Sequence, residues 1–218
     1  QDIAEATKNL SREMKEPSEA SMRDLKRLGR YLKHCPRLVA VFQAQRMPET
    51  LQSYGDSDHA GCLKTRRSTT GVGVMLGSHL LKTYSQVQST ISLSSGESEY
   101  YAMLKASATG LALRAMLEDW GIQLKLQVLS DSSAARGFVA RRGLGKARHV
   151  QTRYLWLQER VAEKDLQVIS VPTSVNIADL FTKSLTEQRI LELLTLMNLE
   201  FREGRARGSL CLYSDPRQ

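Results

Sequence analysis

The chain has 218 residues, 41% of them hydrophobic and 25% charged, and carries a formal net charge of +8 at pH 7. That length suits one core of roughly 130–150 residues with appendages, and no run approaches the ~18–20 consecutive apolar residues that cross a bilayer, which excludes a helical membrane span. Cys35, Cys62 and Cys211 lack any C-x-x-C spacing, which argues against a disulfide framework or a zinc site, and the positive charge favours a polyanion such as nucleic acid as partner.

The first residues, with Asp2, Glu5 and Lys8 and no apolar run, do not read as a secretory signal, so an intracellular protein is expected. Residues 1–35 are predicted helical. Leu10, Met14, Met22, Leu25, Leu28 and Leu32 form an apolar stripe that is interrupted near Pro17, where Ser18 or Ser21 can cap a second helix. Such a stripe must pack on something, and only partial docking on the rest of the chain is expected. Pro36 stops this helix, and residues 38–42 read as a short strand before a turn at Pro48.

From residue 51 the texture becomes α/β. A strand over 51–57 leads into a Lys/Arg/Ser/Thr-rich loop over 64–70, followed by a hairpin of strands 71–76 and 80–84 joined at Gly77-Ser78. Ser94 and Glu97 have the spacing of a capping box, and Tyr100, Met103, Leu104, Ser107 and Leu111 recur at helical intervals until Trp120-Gly121 ends the helix. There follow a strand over 124–129, a short helix from about 132, a basic turn with Arg141, Arg142, Lys146 and Arg148, and a helix over 150–163. A strand over 166–171 is closed by Pro172, and helices are predicted over 175–183 and 187–197. The order is βββαβαβα, and residues 202–218 read as a loose basic tail.

Three acids fall at strand or helix ends, where an α/β sheet usually carries its site: Asp56, Asp131 and Asp179. Each taken alone reads more readily as a turn residue or a helix cap than as part of a site. Both Glu97 and Glu99 lie in the first turn of the long helix, pointing ~200° apart. Glu99 heads the ladder Met103, Ala106, Gly110, Leu113, and Glu97 heads Tyr101, Leu104, Ala108, Leu111, so the pattern leaves the choice open. Asp58 shares a strand face with Asp56 and is a secondary candidate.

Residues 54–62, reading YGDSDHAGC, with TRRST at 65–69, resemble the opening of the RNase H domain of copia-type retrotransposon Pol polyproteins. SLSSGESEYYA at 92–102 is similar to that family's glutamate-bearing helix start, SDSSA at 130–134 to its third acidic motif, and Val171-Pro172 with ADLFTK at 178–183 to its last. Residues 1–12 and 25–33 look like the link between reverse transcriptase and RNase H, and only the part after Phe201 is unmatched. The paired aspartates of a polymerase palm are absent. Gln151 stands where the family has an acid and His59 where it often has an aromatic residue; neither position is a metal ligand in the family.

The resemblance implies an RNase H-like mixed five-stranded sheet flanked by helices. It divides the chain into a linker over 1–49, a nuclease domain over 50–185, a C-terminal helix over 186–201 and a tail over 202–218. It selects Glu99 over Glu97 because the family's acid directly precedes a residue like Tyr100. It also implies that Asp56, Glu99, Asp131 and Asp179 are the catalytic, metal-binding acids, with Asp56 bridging two ions, Glu99 and Asp131 on one side and Asp179 on the other. Four gathered carboxylates presuppose cations, since unit charges 4 Å apart interact by roughly 4 kcal/mol at an effective dielectric of 20. All-oxygen ligation suits Mg²⁺ or Mn²⁺ in a two-metal phosphodiester hydrolysis.

The implied substrate is the RNA strand of an RNA–DNA hybrid, recognised through 2′-hydroxyl groups, and the implied products are a 5′-phosphate and a 3′-hydroxyl. Arg66, Arg67, Ser68 and Thr69 are the candidate nucleic-acid contacts. Lys64, Arg141, Arg142, Lys146 and Arg148 are either phosphate contacts or a solvated basic face. His149, Trp120 and Trp156 are expected to pack rather than bind. An upstream reverse transcriptase is the implied partner. The competing readings are an inactive remnant that binds nucleic acid or a polymerase, and a transposase or integrase nuclease acting on DNA, which the ADLFTK motif and the linker-like start disfavour.

Overall fold

In the computed structural model, which describes residues 1–62, 64–145 and 149–204, five strands form one mixed sheet in the order β4-β3-β2-β5-β6. The first three, β2 (Thr50–Asp58), β3 (Thr69–Leu76) and β4 (His79–Val87), are antiparallel neighbours. Antiparallel strands can be joined by short turns, and β3 passes to β4 through two residues, with Gly77 in the left-handed region at φ 59°. Strands β5 (Lys125–Ser130) and β6 (Leu166–Ser170) run parallel to β2, which requires helical crossovers. Helix α3 (Ser95–Asp119) supplies the first, and α4 (Ser133–Ala140) with α5 (Trp156–Ala162) the second.

Every residue of β3 is buried, which is why its sequence TTGVGVML is small or apolar throughout and shows no alternation. One face of the sheet packs Leu51, Val72, Val74, Leu126 and Val128 against Tyr100, Met103 and Ala106 of α3 and Leu157 of α5. The other packs Met75 and Leu80 against Ile177, Leu180 and Phe181 and against Leu193 and Leu194 of α6 (Glu187–Leu196). Ser94 caps α3 by accepting from the Glu97 amide, but the Glu97 carboxylate returns to the Leu93 amide instead of to Ser94, so half of the predicted capping box forms.

Helix α1 (Ala4–Ser11) lies against β4 and the turn of helix at Ile177–Phe181, with Ala4 on the second core cluster and Lys8 donating to Thr69 Oγ1 at 2.8 Å. Helix α2 (Glu19–His34) is tied back through the Tyr31 hydroxyl, which donates to Asp2 Oδ2 at 2.6 Å, and leaves Met22, Leu25 and Leu32 exposed. The predicted strand at 38–42 forms as the three-residue β1 (Leu38–Ala40), and its partner is β7 (Leu199–Phe201), so the chain segments flanking the main sheet pair with each other.

Other expectations change too, beginning with the C-terminal helix expected over 186–201, which ends at Leu196 because 199–201 pairs with β1 as β7. The segment 150–163 is a 3₁₀ turn at Thr152–Leu155 running into α5, and 173–181 is two 3₁₀ turns, Thr173–Val175 and Ile177–Phe181. Asn176 separates them because its backbone is extended (ψ 99°) and its side chain caps the second by accepting from the Ala178 amide at 3.2 Å. Trp120 is 73% exposed rather than packed, because it follows the last turn of α3 where Gly121 (φ 80°) turns the chain away. Among the described residues no helix is long and apolar enough to cross a membrane, and Cys35 and Cys62 are free thiols; Cys211 and the tail from 205 onward lie outside the described residues.

Candidate metal centre

Side chains alternate along β2. Ser53 faces α3, where its hydroxyl donates to the Ala106 carbonyl at 2.8 Å, and Asp56 therefore points to the opposite face, beneath the 3₁₀ turn Ile177–Phe181. Gly71 is the residue opposite Asp56 on β3. A Cβ there would stand 2.5 Å from the Ala178 carbonyl oxygen and 2.6 Å from Thr182 Cγ2, so only glycine lets that turn settle onto the sheet at this point. The consequence is that Thr182 donates its hydroxyl to Asp56 Oδ2 and Asp179 is buried close by.

Asp131 follows β5, the strand parallel to β2. Thr173 donates to its Oδ2 at 2.6 Å and Asn176 Nδ2 to its Oδ1 at 3.3 Å, so the loop after β6 fixes its orientation. Glu99 comes from the first turn of α3. The ladder it heads, Met103, Ala106 and Gly110, is buried on the sheet, whereas Ala108 of the Glu97 ladder is exposed, and Glu99 is thereby carried over the end of β2. Ligand oxygens of Asp56, Glu99 and Asp131 all lie within 4.8 Å of one another.

The electrostatics are those of a crowded acidic site. Burial pushes the Asp56 carboxyl up to about 7; Lys183 and the Thr182 hydrogen bond oppose this, and Asp179 and Asp131 add to it. Burial likewise raises Glu99, to about 8, with Asp56 and Asp131 adding and hydrogen bonds from Ser57 subtracting. Glu99 Oε2 is buried without a hydrogen-bond partner. Glu97 has a different fate: burial works against its charge, but His149 Nε2 at 2.9 Å, the Tyr101 hydroxyl and the Leu93 amide outweigh it and hold the carboxyl below its usual range. It is a structural partner of His149 and stands outside the acidic group.

Asp179 is also outside the group whose oxygens converge. Its Oδ1 lies 2.8 Å from Lys183 Nζ and its Oδ2 3.4 Å from Arg189 Nη2, and Lys183 Nζ is in turn 3.6 Å from Asp56 Oδ2. Partial burial opposes the charge of Lys183, but Asp56 and Asp179 prevail and hold its ammonium above its ordinary value. Asp58 takes no part in the convergent group.

Of the four loop residues expected to touch nucleic acid, Arg66 and Arg67 are exposed. Ser68 is buried, accepting from the Ala60 amide and sharing a hydrogen bond with Ser92, and Thr69 opens β3 and receives Lys8. Lys146 and Arg148 of the basic turn lie outside the described residues. Sequence reasoning had no role for Gly71, Asn176, Thr173, Lys183 or Arg189. Lys183 belongs to the quoted ADLFTK motif, and its i, i+4 spacing from Asp179 was the available signal.

The strand order, the two crossovers and the three convergent carboxylates define an RNase H-like α/β protein whose acidic cluster is compatible with a divalent metal. The chain is 28% identical over 184 residues to the retrovirus-related Pol polyprotein from transposon TNT 1-94 of Nicotiana tabacum, covering 84% of this chain and 14% of that one. It is 30% identical over 188 residues to the retrovirus-related Pol polyprotein from transposon RE1 of Arabidopsis thaliana, covering 85% of this chain and 13% of that one. These homologues are copia-type retrotransposon Pol polyproteins, and the chain spans only 14% and 13% of the length of the two. No protein-family model matches it. Among solved structures, that of LC11-RNase H1 in complex with RNA/DNA hybrid is similar at a TM-score of 0.41 and 17% identity, covering 61% of this chain and 94% of that one.

Proposed function

We propose that this protein hydrolyses the RNA strand of RNA–DNA hybrids with divalent metal held by Asp56, Glu99 and Asp131, with Asp179 beside them. The observation that carries this reading is the convergence of three carboxylates from β2, α3 and the end of β5 to within 4.8 Å. The residues fit such an ion on two counts: the donor set is all oxygen, as Mg²⁺ or Mn²⁺ prefers, and the buried Glu99 Oε2 has no partner in the protein. A divalent cation bound there supplies a water acidic enough to attack a phosphodiester and positive charge to stabilise the phosphate as it is displaced.

The protein's own part is orientation. The backbone of β2 and the Thr182 hydroxyl fix Asp56, and Thr173 and Asn176 fix Asp131, so these two carboxylates do not have to be assembled when substrate arrives. Arg66 and Arg67, on the loop that follows β2, are exposed and offer phosphate or minor-groove contacts. An upstream reverse transcriptase is the proposed partner, on the strength of the polyprotein relatives.

The test presents labelled hybrid, duplex RNA and duplex DNA to the full chain with and without Mg²⁺. Metal-dependent cutting of the hybrid's RNA strand, lost in Asp131→Asn, is expected. Undiminished cutting by Asp131→Asn, or equal cutting of duplex DNA, refutes the reading; a folded protein that binds hybrid and cuts nothing favours an inactive remnant.

A further inference from the structure

The loop between β2 and β3 holds a conformation that its own residues do not favour. Ala60 and Arg66 both lie in the left-handed region, at φ 54°, which residues with a Cβ rarely adopt and which persists only where the surroundings impose it. Part of the support is internal: the Arg66 amide donates to the Cys62 carbonyl at 2.7 Å, and the Ala60 amide to the buried Ser68 hydroxyl at 3.0 Å. Further support comes from helix α1 and the two residues after it. Lys8 donates at 2.8 Å to the hydroxyl of Thr69, the buried residue where the loop enters β3. The Arg12 guanidinium lies 3.0 Å from Cys62 Sγ and 3.5 Å from Thr65 Oγ1, and Glu13 pairs with Lys64 at 3.7 Å.

Helix α1 is itself anchored. Ala4 packs on the second core cluster, the helix lies against β4 and the Ile177–Phe181 turn, and Asp2 just before it accepts from the Tyr31 hydroxyl of α2. The helix therefore joins the turn that carries Asp179 to the loop that carries Arg66 and Arg67. The chemistry of Cys62 reports on this junction. Burial works against its thiolate, but Thr65 and the Arg12 guanidinium outweigh it and bring the thiol down to about 7.

We propose that α1 positions the nucleic-acid loop, with Lys8 and Arg12 as the positioning residues that hold Arg66 and Arg67 for contact with the hybrid. The inference rests on the hybrid-cleavage reading above, and it assigns α1 to the working nuclease although the sequence alone sets residues 1–49 apart as a linker. Ordering a loop before its ligand arrives removes part of the conformational cost of binding, so affinity falls when the brace is removed. Lys8 and Arg12 direct their hydrogen bonds to the loop and not to the convergent carboxylates, so their loss acts on substrate capture and spares the chemical step.

The experiment compares the full chain as wild type, Lys8→Met, Arg12→Ala and Arg23→Ala, after melting curves confirm that each is folded. Arg23, an exposed arginine of α2, controls for the loss of one positive charge. Hydrogen exchange of the free protein should be about tenfold faster at the amides of 60–62 and 65–68 in Lys8→Met and Arg12→Ala. The pH profile of Cys62 alkylation by iodoacetamide, read by mass spectrometry, should be centred near about 7 in the wild type and about one unit higher in Arg12→Ala. In Mg²⁺, both variants should raise KM for the hybrid about fivefold with kcat within about twofold of wild type. Arg23→Ala should match the wild type in all three measurements. Unchanged loop exchange in both variants, an unchanged KM despite faster exchange, or an equal rise of KM in Arg23→Ala overturns the positioning role while leaving the nuclease standing. A wild type that cuts no hybrid overturns the hybrid-cleavage reading and this inference with it.

Discussion

Removing the charge of Asp56 should stabilise the metal-free protein at alkaline pH and do little at acid pH. The Asp56 carboxyl is 2% exposed and its pKa is lifted by burial from the usual 3.8 to about 7. A carboxyl that ionises less readily in the folded chain makes the folded state bind more protons across that interval. Stability is therefore fully retained below about 4 and falls as pH rises towards 7. At about 1.4 kcal/mol per pK unit, a rise of roughly three units corresponds to something on the order of 4 kcal/mol for Asp56 taken alone. Glu99 and Asp56 titrate as an interacting pair, so their contributions do not add. About two of these units, or roughly 3 kcal/mol, fall between pH 5 and pH 8, so with a melting shift of roughly 2–4 °C per kcal/mol for a chain of this size the expected loss across that window is roughly 5–10 °C.

The assay is a set of melting curves at pH 5 and pH 8 for wild type and Asp56→Asn, in EDTA and in 10 mM Mg²⁺. In EDTA the wild type should melt well below Asp56→Asn at pH 8 and close to it at pH 5. Mg²⁺ should restore the wild type at pH 8 and leave the variant unmoved, because an ion that binds only the folded state stabilises it by mass action. A wild-type melting temperature that follows that of Asp56→Asn across this pH range, with or without metal, would refute the electrostatic reasoning.

Three other outcomes follow from the same geometry. Asp131→Asn should lower the rate of hybrid cleavage by on the order of a hundredfold or more, since several kcal/mol of charge stabilisation are at stake, and should leave the circular dichroism spectrum unchanged; a rate within threefold of wild type contradicts it. Gly71→Ala should destabilise the fold by roughly 1–3 kcal/mol in urea unfolding and lower activity, because the added methyl meets the Ala178 carbonyl at 2.5 Å; an unchanged midpoint contradicts the packing argument. Arg66→Ala with Arg67→Ala should weaken hybrid binding and flatten its dependence on salt by about one counterion for each phosphate no longer neutralised, as read from binding constants at several salt concentrations; an unchanged salt slope contradicts phosphate binding by this loop.

The elements that position the site were legible where periodicity was strong. Helix α3 announced itself through its spacing and its Ser94 cap, and the hairpin through Gly77-Ser78. The choice between Glu97 and Glu99 was not legible from pattern, because both ladders carry apolar residues and only the packing of α3 on β2 decides which faces the sheet. Likewise β7 was missed because a three-residue strand has no period of its own and exists only through pairing with β1, far away in sequence. Gly71 reads as an ordinary weak point in a strand until the 3₁₀ turn it admits is known. Ser68 and Thr69 share the composition of an exposed nucleic-acid loop, yet the chain uses them for internal hydrogen bonds, a distinction that only burial reveals.

The central claim is that Asp56, Glu99 and Asp131 jointly hold a divalent ion. Crystals of the full chain soaked in Mn²⁺ and measured at its absorption edge test it directly. The account predicts an anomalous peak within ligand distance of all three carboxylates, absent from Asp131→Asn crystals treated alike. Well-ordered carboxylates with no peak among them, at Mn²⁺ concentrations that label other sites on the protein, would contradict it.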